Sequence, residues 1–403
     1  MLETEIGVHI NNFRLFMTFE EWVNDALMAV FFFVVGLEIK REIIAGELSS
    51  VKHATLPAVA ALGGMIVPAL IYLLINHGSE FEAGWGVPMA TDIAFAIGVL
   101  SLLGKRVPIS LKIFLTALAI VDDLGAILVI AIFYTSSIDF VMLFSGLAVL
   151  GLMFFMNSRG VKRSLIYLIP GVTVWYLFLY SGVHATIAGV LAAMAIPTKP
   201  RFSKNYFLYK VRYFLEEFRH RDKPGVEVLA NPEQMHVLDK VKYVAGSTVS
   251  ASQKLEHILN PWVMFLIMPV FTFTNAGVEL NSIADLHVIS TRQGLGILLG
   301  LVIGKPLGIF LFCWLTIKMG LSALPANASW NSLLGVACLG GVGFTMSIFI
   351  NNLAFAGTEW VDTGKIAVLI ASVTSAVFGS LVINFLVGRK RGAKREAHTS
   401  VTE

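Results

Sequence analysis

The chain has 403 residues, of which 56% are hydrophobic and only 14% are charged, and its mean hydropathy is +0.76. Soluble domains are about half apolar and about one quarter charged, so this composition excludes a soluble protein and indicates a polytopic membrane protein. The net charge of +3 says little, because topology depends on which connections carry the basic residues. Cys313 and Cys338 lie in apolar segments without metal-ligand spacing, so no disulfide or zinc framework is expected.

The apolar runs of the chain approach the length of about 20 residues that crosses a bilayer. Eleven are predicted, at 22–42, 55–76, 84–104, 109–135, 138–157, 164–180, 183–197, 258–278, 293–317, 330–354 and 364–388. The predicted organisation is an extracellular segment (1–20), a first transmembrane part (21–197), a long basic cytoplasmic loop (198–255), a second transmembrane part (256–388) and a basic cytoplasmic tail (389–403). The fold class is therefore all-α.

Basic residues concentrate in alternate connections, which places those connections in the cytoplasm. They are Lys40, Arg41, Lys52, Lys105, Arg106, Arg159, Lys162, Arg163 and Lys318, together with the 198–255 loop and the tail. The opposite connections carry the acids Glu80, Glu82, Asp139, Glu279, Asp285, Glu359 and Asp362. The predicted N-terminus is therefore outside and the C-terminus inside.

The 198–255 loop contains a segment, 205–220, that mixes aromatic with basic residues. This pattern suits a helix lying in the cytoplasmic membrane interface, and an unstructured basic linker is the alternative. A polar helix is expected after the turn at Asn231 and Pro232.

Two adjacent carboxylates, Asp122 and Asp123, lie inside the apolar stretch 117–133. An Asp at the centre of a spanning helix costs roughly 2.5–3.5 kcal/mol on insertion scales, so two acids require partners, protons or ions. Successive helix positions point about 100° apart, so one carboxylate can face a cavity while the other faces a neighbouring helix. The alternative, a soluble core helix with capping acids, fails because the apolar residues continue on both sides.

Two predicted spans are interrupted near their middle. Gly84, Gly86 and Pro88 precede Thr91 and Asp92 in one of them. In the other, the glycines Gly340, Gly341 and Gly343 lie mid-span. The two spans occupy the central position of two helix triplets, 55–135 and 293–388, which enter the membrane from opposite sides. Such inverted repeats with discontinuous helices are typical of secondary transporters.

Lys305 lies near the middle of the 293–317 span, and a buried ammonium needs a carboxylate partner. Asp122 and Asp123 are the candidates, and a snorkelling lysine is the alternative. Glycines recur every four residues around it, at Gly296, Gly300, Gly304 and Gly308, and predict a close helix contact.

These features together indicate ion exchange. Carboxylates bind hard cations through oxygen and also bind protons, so cation and proton compete for one buried site. The broken-helix ends supply partial charges, positive at N-termini that Asp92 neutralises and negative at C-termini that Lys305 neutralises.

The motifs VGLEIKRE, ATDIAFAIG, LKIFLTALAIVDDLGAI, SGVHATIAGV, LEHILNPWV, IGKPLGI and GVGFTMSIFI, in this order, closely resemble those of the bacterial NhaA-type sodium/proton antiporters. The resemblance covers residues 20 to 388 apart from the long loop. It implies that Asp122 and Asp123 form the Na⁺ or Li⁺ and proton site, that Lys305 pairs with Asp122, and that Thr91 and Asp92 belong to the crossing of the broken helices.

The resemblance further implies an electrogenic antiporter, activated by alkaline pH, that exports Na⁺ or Li⁺ for a larger number of protons. The implied protein is a homodimer in the bacterial inner membrane, without a cofactor and without a nucleic-acid partner. The family's pH-response cluster maps onto Glu38, Arg41, Glu42, Glu256, His257 and His184. From the residues alone, a solvated helix end at Glu38 to Glu42 and an interfacial His184 are the alternatives.

Three departures from the family pattern stand out. The family's usual first helix has no match, because the chain starts inside what resembles the extracellular hairpin before the second helix, and either a misplaced start codon or a shortened protein would explain this. Asn260 stands where a second histidine is common, and the 198–255 loop is longer than usual. A transport-inactive scaffold is therefore an alternative function.

Another class with two membrane-embedded acids is the intramembrane aspartyl protease. Its carboxylates must face each other to share a proton, which neighbours on one helix do not do. Asp92 and Asp123 could in principle face each other, but the GxGD motif is missing and Lys305 would disturb such a pair. No P-loop, HExxH or dinucleotide motif occurs, so neither ATP-driven transport nor metalloprotease chemistry is supported, and a transporter rather than an enzyme is predicted. K⁺ remains an alternative cargo, because ligand geometry sets that selectivity.

Overall fold

A computed structural model describes residues 4–10, 13–104, 107–135, 138–277 and 288–387. The predicted tail 389–403 lies outside these ranges, as do Lys105, Arg106, Glu279 and Asp285, on which part of the predicted topology rests.

Two short antiparallel strands precede the helices. Strands β1 (Glu5–Ile10) and β2 (Phe13–Thr18) pair from Glu5 opposite Thr18 to Ile10 opposite Phe13. Thr18 then caps the first helix, because its hydroxyl accepts from the backbone N–H of Glu21 while the Glu21 carboxylate accepts from the N–H of Thr18. The indole of Trp22 donates to the carbonyl of Ile6 at 2.8 Å and attaches the strands to that helix.

Helices make up the rest of the described chain, and we number them in chain order. They are α1 (Phe19–Ala45), α2 (Val51–Asn76), α3 (Glu82–Leu102), α4 (Ile109–Phe133), α5 (Phe140–Ser158), α6 (Ser164–Ser181), α7 (Ala185–Ala195), α8 (Lys204–His220), α9 (Pro232–Thr248), α10 (Ala251–Asn275), α11 (Arg292–Lys318), α12a (Trp330–Gly340), α12b (Phe344–Ala354) and α13 (Trp360–Phe385).

The predicted polytopic membrane fold is confirmed. Within the described ranges, nine helices are long and apolar enough to cross a membrane, and the α12 pair, bent by 42°, makes a tenth crossing. Helix α7 is apolar but shorter, and it stands where the remaining predicted span was placed. With α7 included, successive helices of the bundle alternate in direction. We call the end of the bundle that carries β1 and β2 the strand end, and the end that carries α8 and α9 the loop end.

The two predicted discontinuous helices are both present. Helix α3 consists of a tight 3₁₀ segment, Glu82–Met89, an extended stretch at 90–92 and an α-helix, Ile93–Leu102. The glycines and Pro88 therefore form the 3₁₀ segment, and the chain is extended only after them. Helix α12 is interrupted over 341–343.

Helices α2 to α4 and α11 to α13 form the two predicted units. The start of α11 packs against the end of α2, where a side chain at Gly296 would collide with Tyr72 and Asn76, so the two units run in opposite directions. The glycine ridge of α11 packs against α2 as expected: a side chain at Gly308 would collide with the backbone of Gly63, and one at Gly304 would come within 2.9 Å of the Pro68 Cα. The remaining helices of the bundle, α1, α5, α6, α7 and α10, are called the outer helices below.

Candidate functional site

The two helix interruptions cross each other inside the bundle. The backbone N–H of Asp92 donates to the carbonyl of Val342 at 2.7 Å, and the hydroxyl of Thr91 donates to the carbonyl of Gly340 at 3.0 Å. The hydroxyl of Ser347 reaches the carbonyl of Val87 at 2.8 Å. These bonds satisfy backbone and hydroxyl groups that have no water available at this depth.

Asp92 joins the N-termini of the two half-helices. Its carboxylate caps α3b, the Ile93–Leu102 part of α3, by accepting from the N–H of Phe95 at 3.1 Å. The same carboxylate accepts from the backbone N–H of Thr345 at 3.1 Å, and also from the Thr345 hydroxyl. Because the N-terminus of a helix carries a partial positive charge, one carboxylate compensates two helix ends.

Lys305 lies at the opposite kind of helix end. Its ammonium donates to the carbonyl of Met89, where the 3₁₀ segment of α3 ends and partial negative charge accumulates. It also donates to the Asp122 carboxylate at 2.7 Å, and both side chains are completely buried. Of the two candidate partners, the structure therefore pairs Lys305 with Asp122.

Helix α11 is widened immediately before this lysine. Residues Gly300–Gly304 form a π-helical turn, and Pro306, which has no N–H to donate, follows Lys305.

Asp123 is buried beside this ion pair but is not part of it. Its side chain is 2% exposed, and its Oδ1 has no hydrogen-bond partner among the described residues. The second oxygen of Asp122, Oδ1, is also without a partner in the described part of the chain. Asp123 interacts electrostatically with Asp122, Asp92 and Lys305, and toward the loop end with Glu38. A carboxylate in this position is available to a cation or a proton.

Across the described ranges, no group of three or more His, Cys, Asp or Glu side chains is arranged to hold a metal ion.

Four of the predicted pH-response residues meet at the loop end. The Arg41 guanidinium on α1 forms ion pairs with Glu42 at 3.1 Å, with Glu38 at 3.4 Å, and with Glu256 at the start of α10. The Glu256 side chain is 10% exposed and the Glu38 side chain 32% exposed. The solvated helix end considered from the residues is thus a partly buried network that links α1 to α10.

The two predicted histidines lie apart from this network's ion pairs. His257 is exposed on α10 next to Glu256. His184 lies at the strand end, where its Nε2 is 2.8 Å from the carbonyl oxygen of Tyr134. This contact links the start of α7 to the end of α4. The whole length of α7 separates it from the Arg41 network.

At the strand end, three asparagine side chains form a chain of hydrogen bonds that joins two outer helices to α12b. The side-chain amide of Asn275 on α10 donates to the Oδ1 of Asn24 on α1 at 2.8 Å, and its own Oδ1 accepts from the Nδ2 of Asn352 on α12b at 2.6 Å. Toward the ion pair, the Phe349 ring lies 5.8 Å from Phe32 and 6.1 Å from Phe271, measured between centroids. We call these two layers the strand-end seam.

Sequence reasoning missed Thr345 and the members of this seam. Thr345 could have been found, because it opens the half-helix that follows the second glycine interruption, where an anion such as Asp92 is expected. The three asparagines are spread over distant segments, and no spacing connects them.

Comparison with known proteins places the chain near one group. The family model described as Na⁺/H⁺ antiporter 1 matches residues 1–383. The chain is 45% identical to the Na(+)/H(+) antiporter NhaA of Wolinella succinogenes over 394 residues, which is 98% of this chain and 86% of that protein. Over 383 residues, 95% of this chain and 85% of the relative, it is 46% identical to that of Oleidesulfovibrio alaskensis. For the Helicobacter pylori protein the identity is 44% over 395 residues, with 97% and 88% covered.

Proposed function

Because the chain belongs to the Na⁺/H⁺ antiporter 1 family, we propose that it exchanges Na⁺ or Li⁺ for protons across a membrane. Its relatives are named as antiporters, that is, transporters and not enzymes. The observation that carries the proposal for this chain is Asp123, a buried carboxylate with a free oxygen beside a buried ion pair. Hard cations and protons compete for such oxygens.

Asp123 is the proposed principal ligand and proton carrier, and Asp122 the second acid. When a cation binds an Asp122 oxygen, the ion pair between Asp122 and the Lys305 ammonium weakens, while the hydrogen bond from Lys305 to the Met89 carbonyl remains. Asp92 and Thr91 hold the crossing together during the exchange. Two carboxylates accept more protons than the single charge a Na⁺ brings, which supports electrogenic exchange.

Transport then requires alternating access, in which the two units move against the outer helices. The seam at the strand end closes that side of the site. Opening it means separating Asn352 from Asn275, and Phe349 from Phe32 and Phe271.

The Arg41 network is the proposed pH sensor. Replacing Arg41 by Gln removes the positive charge that Glu38, Glu42 and Glu256 share and breaks the ion pairs that link α1 to α10. The pH at which exchange begins is therefore expected to shift. Lys40→Gln is the control. It removes a positive charge from the same helix turn, but the partners of Lys40 are the backbone carbonyls of Met194 and Ile196 and not carboxylates.

We place the protein in the bacterial inner membrane with the loop end in the cytoplasm. The basic residues Arg159, Lys162 and Arg163 and the basic α8 to α9 segment lie at that end, which supports this orientation. The homodimer implied by the family is part of the proposal, and cross-linking in native membranes tests it.

The decisive experiment uses everted vesicles with an acidified interior and a pH-sensitive dye, to which Na⁺, Li⁺ or K⁺ is added over a range of pH. Dequenching by Na⁺ or Li⁺ is expected, and Asp123→Asn should abolish it. The matched control is Asp139→Asn, since Asp139 caps α5 from an exposed position and Asn caps equally well. Correctly inserted protein without any cation-dependent proton movement would instead support the scaffold alternative.

A further inference from the structure

Helices α8 and α9 form a separate helical hairpin at the loop end. Phe214 of α8 is buried against Val237 and Val244 of α9, with further aromatic residues around them. The segment predicted as a basic loop therefore has a small core of its own, and the helix predicted over 205–220 is present.

The hairpin is held close to the ends of the spanning helices. The backbone N–H groups of Arg201 and Phe202 both donate to the carbonyl of Ser247, which closes the hairpin at its base. From the connection between α5 and α6, the Lys162 ammonium donates to the carbonyl of Pro200 at 2.8 Å. The base therefore lies where spanning helices leave the bilayer.

On the exposed side of α8, three tyrosine rings lie around one lysine. The Lys210 ammonium lies 5.8 Å from the ring centroids of Tyr206 and Tyr209 and 5.6 Å from that of Tyr213. Among the described residues, no carboxylate forms an ion pair with Lys210. Tyr209 is 65% exposed and Tyr213 is 53% exposed, although both rings are large and mostly apolar.

A shallow groove of about 360 Å³ continues this face between the two helices. Tyr206 and Lys210 line one side, and Lys240 and Tyr243 line the other. Lys240 also pairs with Glu217 at 3.1 Å. One acid, Asp239, lies beside the two lysines, so the charge of the lining remains positive.

The charge of this region is unusual for the chain. Residues 198–255 contain eleven lysines and arginines against six acids, whereas the whole chain has a net charge of only +3. A basic surface with exposed tyrosines, tethered at a bilayer, matches the chemistry of an anionic lipid surface.

We propose that the tyrosine and lysine face of this hairpin binds the phosphate headgroups of anionic phospholipids in the leaflet next to it. Lys210 supplies the charge for the phosphate, and the tyrosine rings lie at the headgroup level, where amphipathic rings are favoured. Each basic residue near an anionic membrane strengthens binding about fivefold.

The test uses the full chain, carrying an environment-sensitive fluorophore on Leu208→Cys, an exposed position of α8. Cys313 and Cys338 are buried, and protein without the added cysteine measures any background labelling. In phosphatidylcholine vesicles with increasing phosphatidylglycerol, the fluorophore is expected to enter a less polar environment. Lys210→Met should raise the half-saturating phosphatidylglycerol fraction about fivefold.

Lys242→Met is the matched control, because Lys242 is an exposed lysine of α9 outside the groove. It should change the response little, and circular dichroism should show the same helix content in both variants. An equal loss in both variants would mean a diffuse charge effect and would overturn the site. So would a response to inorganic phosphate in phosphatidylcholine vesicles that equals the lipid response, or no dependence on phosphatidylglycerol.

Discussion

Lys305 and Asp122 form an ion pair of 2.7 Å between two completely buried side chains from opposite repeat units. The pair holds α11 against α4 at the crossing of the broken helices. Removing one partner leaves the other charge uncompensated, whereas removing both does not.

Lys305→Met alone is accordingly expected to lower stability by about 3–5 kcal/mol, seen as a lower unfolding temperature in detergent. The double variant Lys305→Met with Asp122→Asn should recover most of that loss. Tryptophan fluorescence during heating measures both. Equal unfolding temperatures for the single and double variants would show that the pair is energetically unimportant.

Thr345 should matter through its hydroxyl group. Thr345→Val removes the hydroxyl that donates to Asp92 and keeps the backbone N–H bond, so stability should fall by about 1.5–3 kcal/mol, the value of a hydrogen bond to a charged group. Thr345→Ser keeps the donor and should behave like the unchanged protein. If Ser is as harmful as Val, side-chain packing and not the hydrogen bond is responsible.

We expect the strand-end seam to open once in every transport cycle. Cysteines at Asn275 and Asn352, joined by an oxidant, should stop cation-dependent proton movement in vesicles, and a reductant should restore it. The control joins Asn24 and Asn275, which lie on two outer helices and need not separate. Continued exchange with the first pair cross-linked would rule out movement at this seam.

The contact between α2 and α11 should not tolerate a side chain. Gly308→Ala places a methyl group against the Gly63 backbone, which cannot rotate away, so a loss of about 1–3 kcal/mol is expected. Gly98→Ala on α3b adds the same group where no atom lies within 4 Å and should be neutral or slightly stabilising. Thermal unfolding of the two variants compares them directly.

The fold was predictable where a short sequence pattern follows directly from a requirement of the membrane or of helix packing. Apolar length marks the spans, glycine repeats mark the contact of α11 with α2, and an Asp or Lys inside an apolar run marks a residue that needs a partner. The exact place of the first interruption was not predictable, because Gly84, Gly86 and Pro88 allow a 3₁₀ helix as readily as an extended chain.

Contacts between distant segments were harder to predict. Each asparagine of the strand-end seam, seen alone in its span, gives no indication of the other two. The family pattern groups His184 with Arg41, yet His184 lies at the start of α7, whereas Lys40, the neighbour of Arg41, contacts the end of α7.

The pairing of Asp122 with Lys305 also constrains how the chain is made. The two residues are 183 positions apart, so at about 5–20 residues per second the ribosome reaches Lys305 about 10–40 s after Asp122. During that interval α4 has no counter-charge from α11, and Asp92 has no Thr345 to bind. The first unit therefore lacks these buried contacts until the second unit has been synthesised. Nascent chains that stop before α11 are expected to be the preferred substrates of membrane quality-control proteases, which pulse-chase degradation of truncated chains can measure.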